Sequence, residues 1–174
     1  MMYLFTNGNE MMKSVEKMDL DATDLRLLEL LQADASSSNQ ALAERAHVSP
    51  ATCLRRVARL TAGGVIERRV ALLSAERLGA GLSAIVEITL DRQGAEHLAA
   101  FEAKVMAEAA VQQCYRVSPG PDFVLVVQLP DMAGYHALVQ RLFTQDANVR
   151  NVKSFFSVHR VKFETRIALP RSAP

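Results

Sequence analysis

The stretch that decides the fold is Ser38–Gly64, SNQALAERAHVSPATCLRRVARLTAGG. Its punctuation predicts two short helices joined by a tight turn. The first runs from Ser38 to Ala46, with the Ser38 hydroxyl placed to accept a free amide of the first turn. His47-Val48-Ser49 is the break. Pro50 then occupies the one turn of a helix that tolerates a missing N–H, with Ser49 as its cap. The second helix should run to Thr61 and stop at Gly63-Gly64. Leu54, Val57, Ala58 and Leu60 fall at helical spacing and are expected to face inward, with Thr52, Arg55, Arg56 and Arg59 opposite. Two helices, a short turn and a basic outer face are the outline of a DNA-binding helix-turn-helix. The alternative is an ordinary helical hairpin with a solvated arginine face.

The 174 residues carry a net charge of only +1, which by itself argues for no partner. Its distribution argues more. From Pro50 to Leu72 stand Arg55, Arg56, Arg59, Arg68 and Arg69 against Glu67 alone. From Asp19 to Asp34 stand Asp19, Asp21, Asp24, Glu29 and Asp34 against Arg26. Positive charge gathered on one element of a neutral chain is the footprint of a nucleic-acid binder. Cys53 and Cys114 are far apart, in elements expected to be buried, and suggest no disulfide framework. The four histidines show no ligand spacing, so no metal site is expected, and no cofactor motif or nucleophile-base pair stands out. No apolar run approaches the length of a membrane span, and the first residues lack a signal peptide's core. A cytoplasmic protein is therefore expected, with residues 1–18 a disordered leader.

Outward from the helical pair, Asp19–Ala33 predicts a helix with Leu25, Leu28 and Leu31 as its stripe, widened by Leu27 and Leu30, and capped by Thr23 or Asp21. Val65–Leu73 reads as a strand or short hairpin, the wing of a winged helix, with Arg68 and Arg69 near phosphates. Residues 74–81, holding Gly79 and Gly81, read as a hinge. The chain then changes rhythm: strand Leu82–Leu90, helix Gly94–Ala109, strand Val111–Val117, apolar strand Phe123–Leu129, helix Met132–Gln145 and strand Val149–Phe163. The order βαββαβ predicts a ferredoxin-like sandwich over 82–166, followed by a tail from 167. One sheet face is left partly apolar, and a second copy of the same sheet is its economical cover. The fold class is thus α+β: a winged helix-turn-helix over 19–73 and a ferredoxin-like domain. Arg150, Lys153, Arg160 and Lys162 are read as a solvated edge or subunit contact, and Phe155-Phe156 as core and interface rather than an RNA-stacking platform.

LDATDLRLLELLQ, LAERAHVSPATCLRRVARLTAGGVIER, VEITL, QCYRVSPGPDFVLVV and PDMAGY, in this order and spacing, resemble the Lrp/AsnC transcriptional regulators, the leucine-responsive branch in particular. The resemblance spans Met18 to the last strand. It implies a winged helix-turn-helix joined to a ligand-binding (RAM/ACT-like) sheet domain that dimerises, often assembling to tetramers or octamers. It also implies double-stranded DNA and a small amino-acid-like effector as partners. Residues matching the recognition helix are Ser49, Pro50, Thr52, Arg55, Arg56 and Arg59. Arg55 and Arg59 are expected near bases or phosphates, and Ser49 and Thr52 near phosphates.

This chain departs from the family twice. His47 stands where the family has a turn glycine, a position that wants positive φ. The effector loop, Ser-Gly-x-x-Asp-Tyr in the family, is here Ser118-Pro119-Gly120-Pro121-Asp122-Phe123. Pro119 and Pro121 remove two loop amides that a ligand carboxylate would lean on. Ser118, Gly120, Asp122, Met132 and Phe155 match the family's effector positions, Asp122 being suited to an amino group. A rigid structural loop with changed or lost ligand specificity is the other reading. Two further functions stay open: an architectural DNA-wrapping protein, and an enzyme-regulatory amino-acid-binding subunit.

Overall fold

The computed structural model describes residues 18–170. The expected leader, Met18 apart, and residues 171–174 lie outside them. The described chain divides into two units, a sheet unit over 73–161 and a helical unit made of residues up to Leu72 together with the segment from Lys162.

In the helical unit, α1 (Ala22–Ala33) starts in a capping box: Asp21 accepts from the Asp24 amide while Asp24 accepts from the Asp21 amide. α2 (Asn39–Arg45) is capped by Ser38, and α3 (Pro50–Ala62) by Ser49 with Pro50 in its first turn. Both α2 and α3 end in the same hydrogen-bond pattern. Val48 N–H reaches the Ala43 carbonyl over a left-handed residue at 47; Val65 N–H reaches Leu60 over Gly64. Glycine takes this conformation freely at Gly64 (φ 72°), whereas His47 takes it at φ 57°. The core gathers Leu27, Leu30, Leu31, Leu42, Ala43, Ala46 and Cys53, with Val48, Val57 and Ile66 against it.

The inward stripe of α3 differs from expectation. Cys53 and Leu60 are buried and Val57 half-buried, while Leu54 is 62 % exposed and Ala58 is exposed. The first turn of α3 is rotated so that Cys53, not Leu54, meets α1 and α2. The expected wing strand is not seen: 67–74 runs without regular structure, and no strand among the described residues pairs with it. Its β-branched composition cannot make a strand without a hydrogen-bonded neighbour. The expected hinge contains one turn of 3₁₀ helix, Glu76–Leu78.

The sheet unit comprises β1 (Leu82–Leu90), α4 (Ala95–Met106), β2 (Val111–Arg116), β3 (Phe123–Leu129), α5 (Met132–Val139) and β4 (Val149–Phe156). The sheet is antiparallel in order β2-β3-β1-β4, the ferredoxin-like arrangement. Period-2 alternation sends Ala84, Val86, Ile88 and Leu90 of β1, and Phe123, Leu125, Val127 and Leu129 of β3, to one face. There they meet Phe101 and Val105 of α4, Tyr135 and Leu138 of α5, and Leu142 and Phe143 of the π-helical turn that continues α5. Each large side chain buried here contributes about 1.5–3 kcal/mol. β4 stops at Phe156 rather than Phe163, because its partner β1 is exhausted: Phe156 lies opposite Ala84, and Ser157 makes a last bond to Ser83. Cys53 is buried as expected, but Cys114 is exposed, being on edge strand β2 with a neighbour on one side only.

Candidate nucleic-acid interface and effector loop

α3 presents its predicted contact residues in three ways. At its start, Ser49 Oγ accepts the Thr52 amide at 3.2 Å and donates to Thr52 Oγ1 at 2.9 Å, so both hydroxyls are engaged locally. Ser49 and Pro50 are exposed and Thr52 half-buried. Arg55 is exposed and pairs with no carboxylate among the described residues. Arg56 and Arg59 do not project freely. Arg56 Nη1 donates to Asp21 at 2.6 Å and to Asp24 at 2.9 Å, and Arg59 Nη2 donates to Asp24 Oδ2. Arg56 is half-buried, and its Nε is buried with no acceptor among the described residues, whereas Arg59 remains half-exposed. Arg68 and Arg69 are exposed on the irregular segment after α3.

The acids of α1 thus do more than suit the helix dipole. Asp24 is fully buried, and both its oxygens are occupied. The sequence carried a partial signal: a capping box explains Asp21 and Asp24, but not why Asp24 falls within a leucine stripe. The Asp24 amide first, and the Arg56 guanidinium second, hold the Asp21 carboxyl below the usual carboxylate range. A cleft of about 180 Å³ lies among Asp21, Arg55, Arg56 and Arg59.

The effector candidates are spread over the sheet unit. Ser118 and Gly120 are exposed on the β2–β3 loop, where Gly120 has φ 127°, a conformation that glycine alone adopts easily. Asp122 is half-buried and bound to the sheet. Its Oδ2 accepts the Leu90 amide at 2.7 Å, and its own amide donates to the Ile88 carbonyl at 2.8 Å. Leu90 lies beyond the end of β3, which starts at Phe123 opposite Ile88, so the Asp122 side chain supplies the acceptor that a β3 carbonyl cannot. Met132 is exposed at the other end of β3, behind the Asp131 cap of α5. Seven strand residues lie between the loop and α5, so Met132 and Asp122 are roughly 20 Å apart along β3. Phe155 is 45 % exposed on the helix-free face, opposite Ile85, with Lys153 Nζ 5.4 Å from its ring centre. The fold does not gather these five residues into one pocket of a single protomer.

Residues 83–167 match the Lrp/AsnC ligand-binding domain, and residues 20–67 a winged helix-turn-helix DNA-binding domain. An HTH-type transcriptional regulator of Haemophilus influenzae is 37% identical over 150 residues, covering 86% of this chain and 89% of its own. The chain belongs to the Lrp/AsnC family. The leucine-responsive regulatory protein of Escherichia coli K12 is 34% identical over 151 residues, 87% of this chain and 92% of its own. Among solved structures, an AsnC family regulator from Agrobacterium tumefaciens superposes with TM-score 0.81 at 31% identity, over 86% of this chain and 97% of its own. A transcriptional regulator of Neisseria meningitidis, solved with L-methionine, gives 0.79 at 28% identity over the same shares. This Lrp/AsnC member is a DNA-binding transcriptional regulator with a small-ligand-binding domain, as its two matched domains and named relatives specify. Among the described residues no helix is long and apolar enough to cross a membrane.

Proposed function

We propose that this regulator lays α3 in the major groove of double-stranded DNA, acting by binding rather than catalysis, in the cytoplasm. The observation that carries the reading is Arg55: an exposed arginine, paired with no carboxylate among the described residues, on an N-capped helix beside the half-exposed Arg59. These two read base edges or phosphates; Ser49, Pro50 and Thr52 meet the backbone at the helix start; Arg68 and Arg69 meet it from the segment that follows. Arg56, held by two carboxylates, supports the helix and contributes less to binding.

The chain works as a homodimer joined through the helix-free sheet face, where Ile85, Tyr115 and Phe155 are exposed, and dimers assemble to a tetramer or octamer. A dimer would read half-sites about one helical turn apart. The effector is a small amino acid, a reading supported by the leucine-responsive relatives and by the L-methionine complex of the Neisseria regulator. Its site draws the β2–β3 loop with Ser118, Gly120 and Asp122 from one protomer and other positions from another copy, since Met132 lies far along β3 from the loop. Binding there shifts assembly or half-site spacing, and so affinity.

Footprinting on genomic fragments tests the DNA reading. Discrete protected half-sites are expected, and Arg55→Ala should weaken binding while flattening the salt dependence by about 0.9 unit of slope. Uniform protection without half-sites would favour the architectural reading instead.

A further inference from the structure

We propose that Asp24 is a specificity-determining residue for DNA binding that acts by position: from beneath α3 it fixes the guanidinium of Arg59 and withholds Arg56 from the phosphates. The proposal rests on the reading of α3 as the recognition helix. Asp24 is the buried charged side chain among the described residues, and it sits where α1 is otherwise leucine-rich. Buried carboxylates persist only when paired, and replacing such a pair by apolar side chains is often neutral or stabilising. Folding stability alone therefore does not account for a buried ion pair at this position.

The geometry supplies another role. Asp24 Oδ1 accepts from Arg56 Nη1 at 2.9 Å, and Oδ2 accepts from Arg59 and, at 3.2 Å, from the Asp21 amide. Asp21 takes a second hold on Arg56 Nη1 at 2.6 Å. Arg55, Arg56 and Arg59 thus share one cleft with Asp21, and Asp24 is buried against Arg56 and Arg59, leaving +1 from three positive and two negative charges. Phosphate attraction on this face is therefore muted, which limits sequence-independent affinity. A free arginine would sample many rotamers. Held at one nitrogen and half-exposed, Arg59 keeps its remaining donors in one orientation, which base-edge recognition requires.

The test compares wild type, Asp24→Asn and Asp21→Asn, each confirmed folded by circular dichroism, on two duplexes: one of random sequence and one selected by the wild type from a random pool. Asp24→Asn should steepen the dependence of log K on log salt for random DNA by about 0.9 unit per phosphate newly engaged. It should also reduce the selected-over-random ratio about tenfold. Asp21→Asn, at an exposed position that holds Arg56 but not Arg59 and whose Asn oxygen can still cap α1, should steepen the slope and keep the ratio. Lower melting temperatures with unchanged slope and ratio would make Asp24 merely structural and overturn the proposal. Should Asp24→Asn not fold, an unchanged slope in Asp21→Asn overturns it equally. A wild type that binds neither duplex overturns the recognition-helix reading itself, a distinct result.

Discussion

Gln32 and Ile167 hold each other by two hydrogen bonds across 135 positions of sequence. Gln32 Nε2 donates to the Ile167 carbonyl at 3.2 Å, and the Ile167 amide donates to Gln32 Oε1 at 2.8 Å. The side-chain amide thus pairs with a backbone as a neighbouring strand would. Around it, Leu25, Arg26 and Glu29 of α1 and Arg166–Pro170 line an open cleft of about 540 Å³. Residues 166–170 therefore lie against α1. Gln32→Ala should speed amide exchange over 162–170 and lower stability by about 1–2 kcal/mol, as expected for a lost pair of exposed hydrogen bonds. Exchange unchanged from wild type would show that the segment is held by other contacts.

His47 closes α2 in a left-handed conformation that costs an L-residue roughly 1–2 kcal/mol. Glycine removes that strain but adds freedom to the unfolded chain. His47→Gly should raise stability by about 0.5–1 kcal/mol, and His47→Val should lower it by at least as much. Denaturant titration measures both. A destabilised glycine variant would indicate that the imidazole itself contributes.

Asp122 has a structural duty that obscures any role with an effector. Asp122→Ala leaves the Leu90 amide without its acceptor, and should destabilise the sheet unit by about 1–3 kcal/mol. Asp122→Asn keeps an oxygen for Leu90 while removing the charge. In thermal shift with each of the twenty amino acids, ligands that stabilise the wild type should lose their effect on the Asn variant, whose basal melting temperature stays near wild type. Equal shifts in both proteins would place the ligand's amino group elsewhere.

Acid should weaken both units through their ion pairs. Arg141 foremost holds the Glu108 carboxyl below its ordinary value, and the Asp24 amide with Arg56 does the same for Asp21. A carboxyl depressed in the folded state is protonated more readily in the unfolded chain. Its stabilisation is whole above the ordinary carboxylate range near pH 4, and fades as pH falls through the folded value. Melting temperature should be flat down to about pH 5 and then decline. Glu108→Gln should make that decline shallower; an identical decline would show the Glu108–Arg141 pair to be without effect.

The helix-free sheet face should be where copies meet. Ile85 is 47 % exposed on central strand β1, between β3 and β4. Ile85→Glu places a charge there without entering the helix-covered core. Light scattering should then show monomer where the wild type is larger. An unchanged mass would exclude this face.

Much of the fold was legible because local rules were consistent. Ser38 and Ser49 cap, Pro50 opens, Gly64 closes, and the alternation of β1 and β3 separates a covered face from an open one. These signals act within a few residues and need no partner. The failures share one cause: each depended on a neighbour distant in sequence. Val65–Leu73 had strand composition but no ladder, and β4 lost its ladder at Phe156. Leu54 and Cys53 differ by one helical step, and only the packing of α1 and α2 chose between them.

The sequence by itself determined the helix-turn-helix, the βαββαβ order and the set of arginines offered by α3, since caps, breakers and periodicity are properties of contiguous residues. Only the tertiary structure decided which arginines are free. Asp24 lies more than thirty positions from Arg56 and Arg59, and no local rule distinguishes a dipole-satisfying acid from one buried beneath α3. In the same way, Asp122 has the right identity for a ligand contact, but its bond to Leu90 follows from where β3 stops against β1, which only the assembled sheet contains.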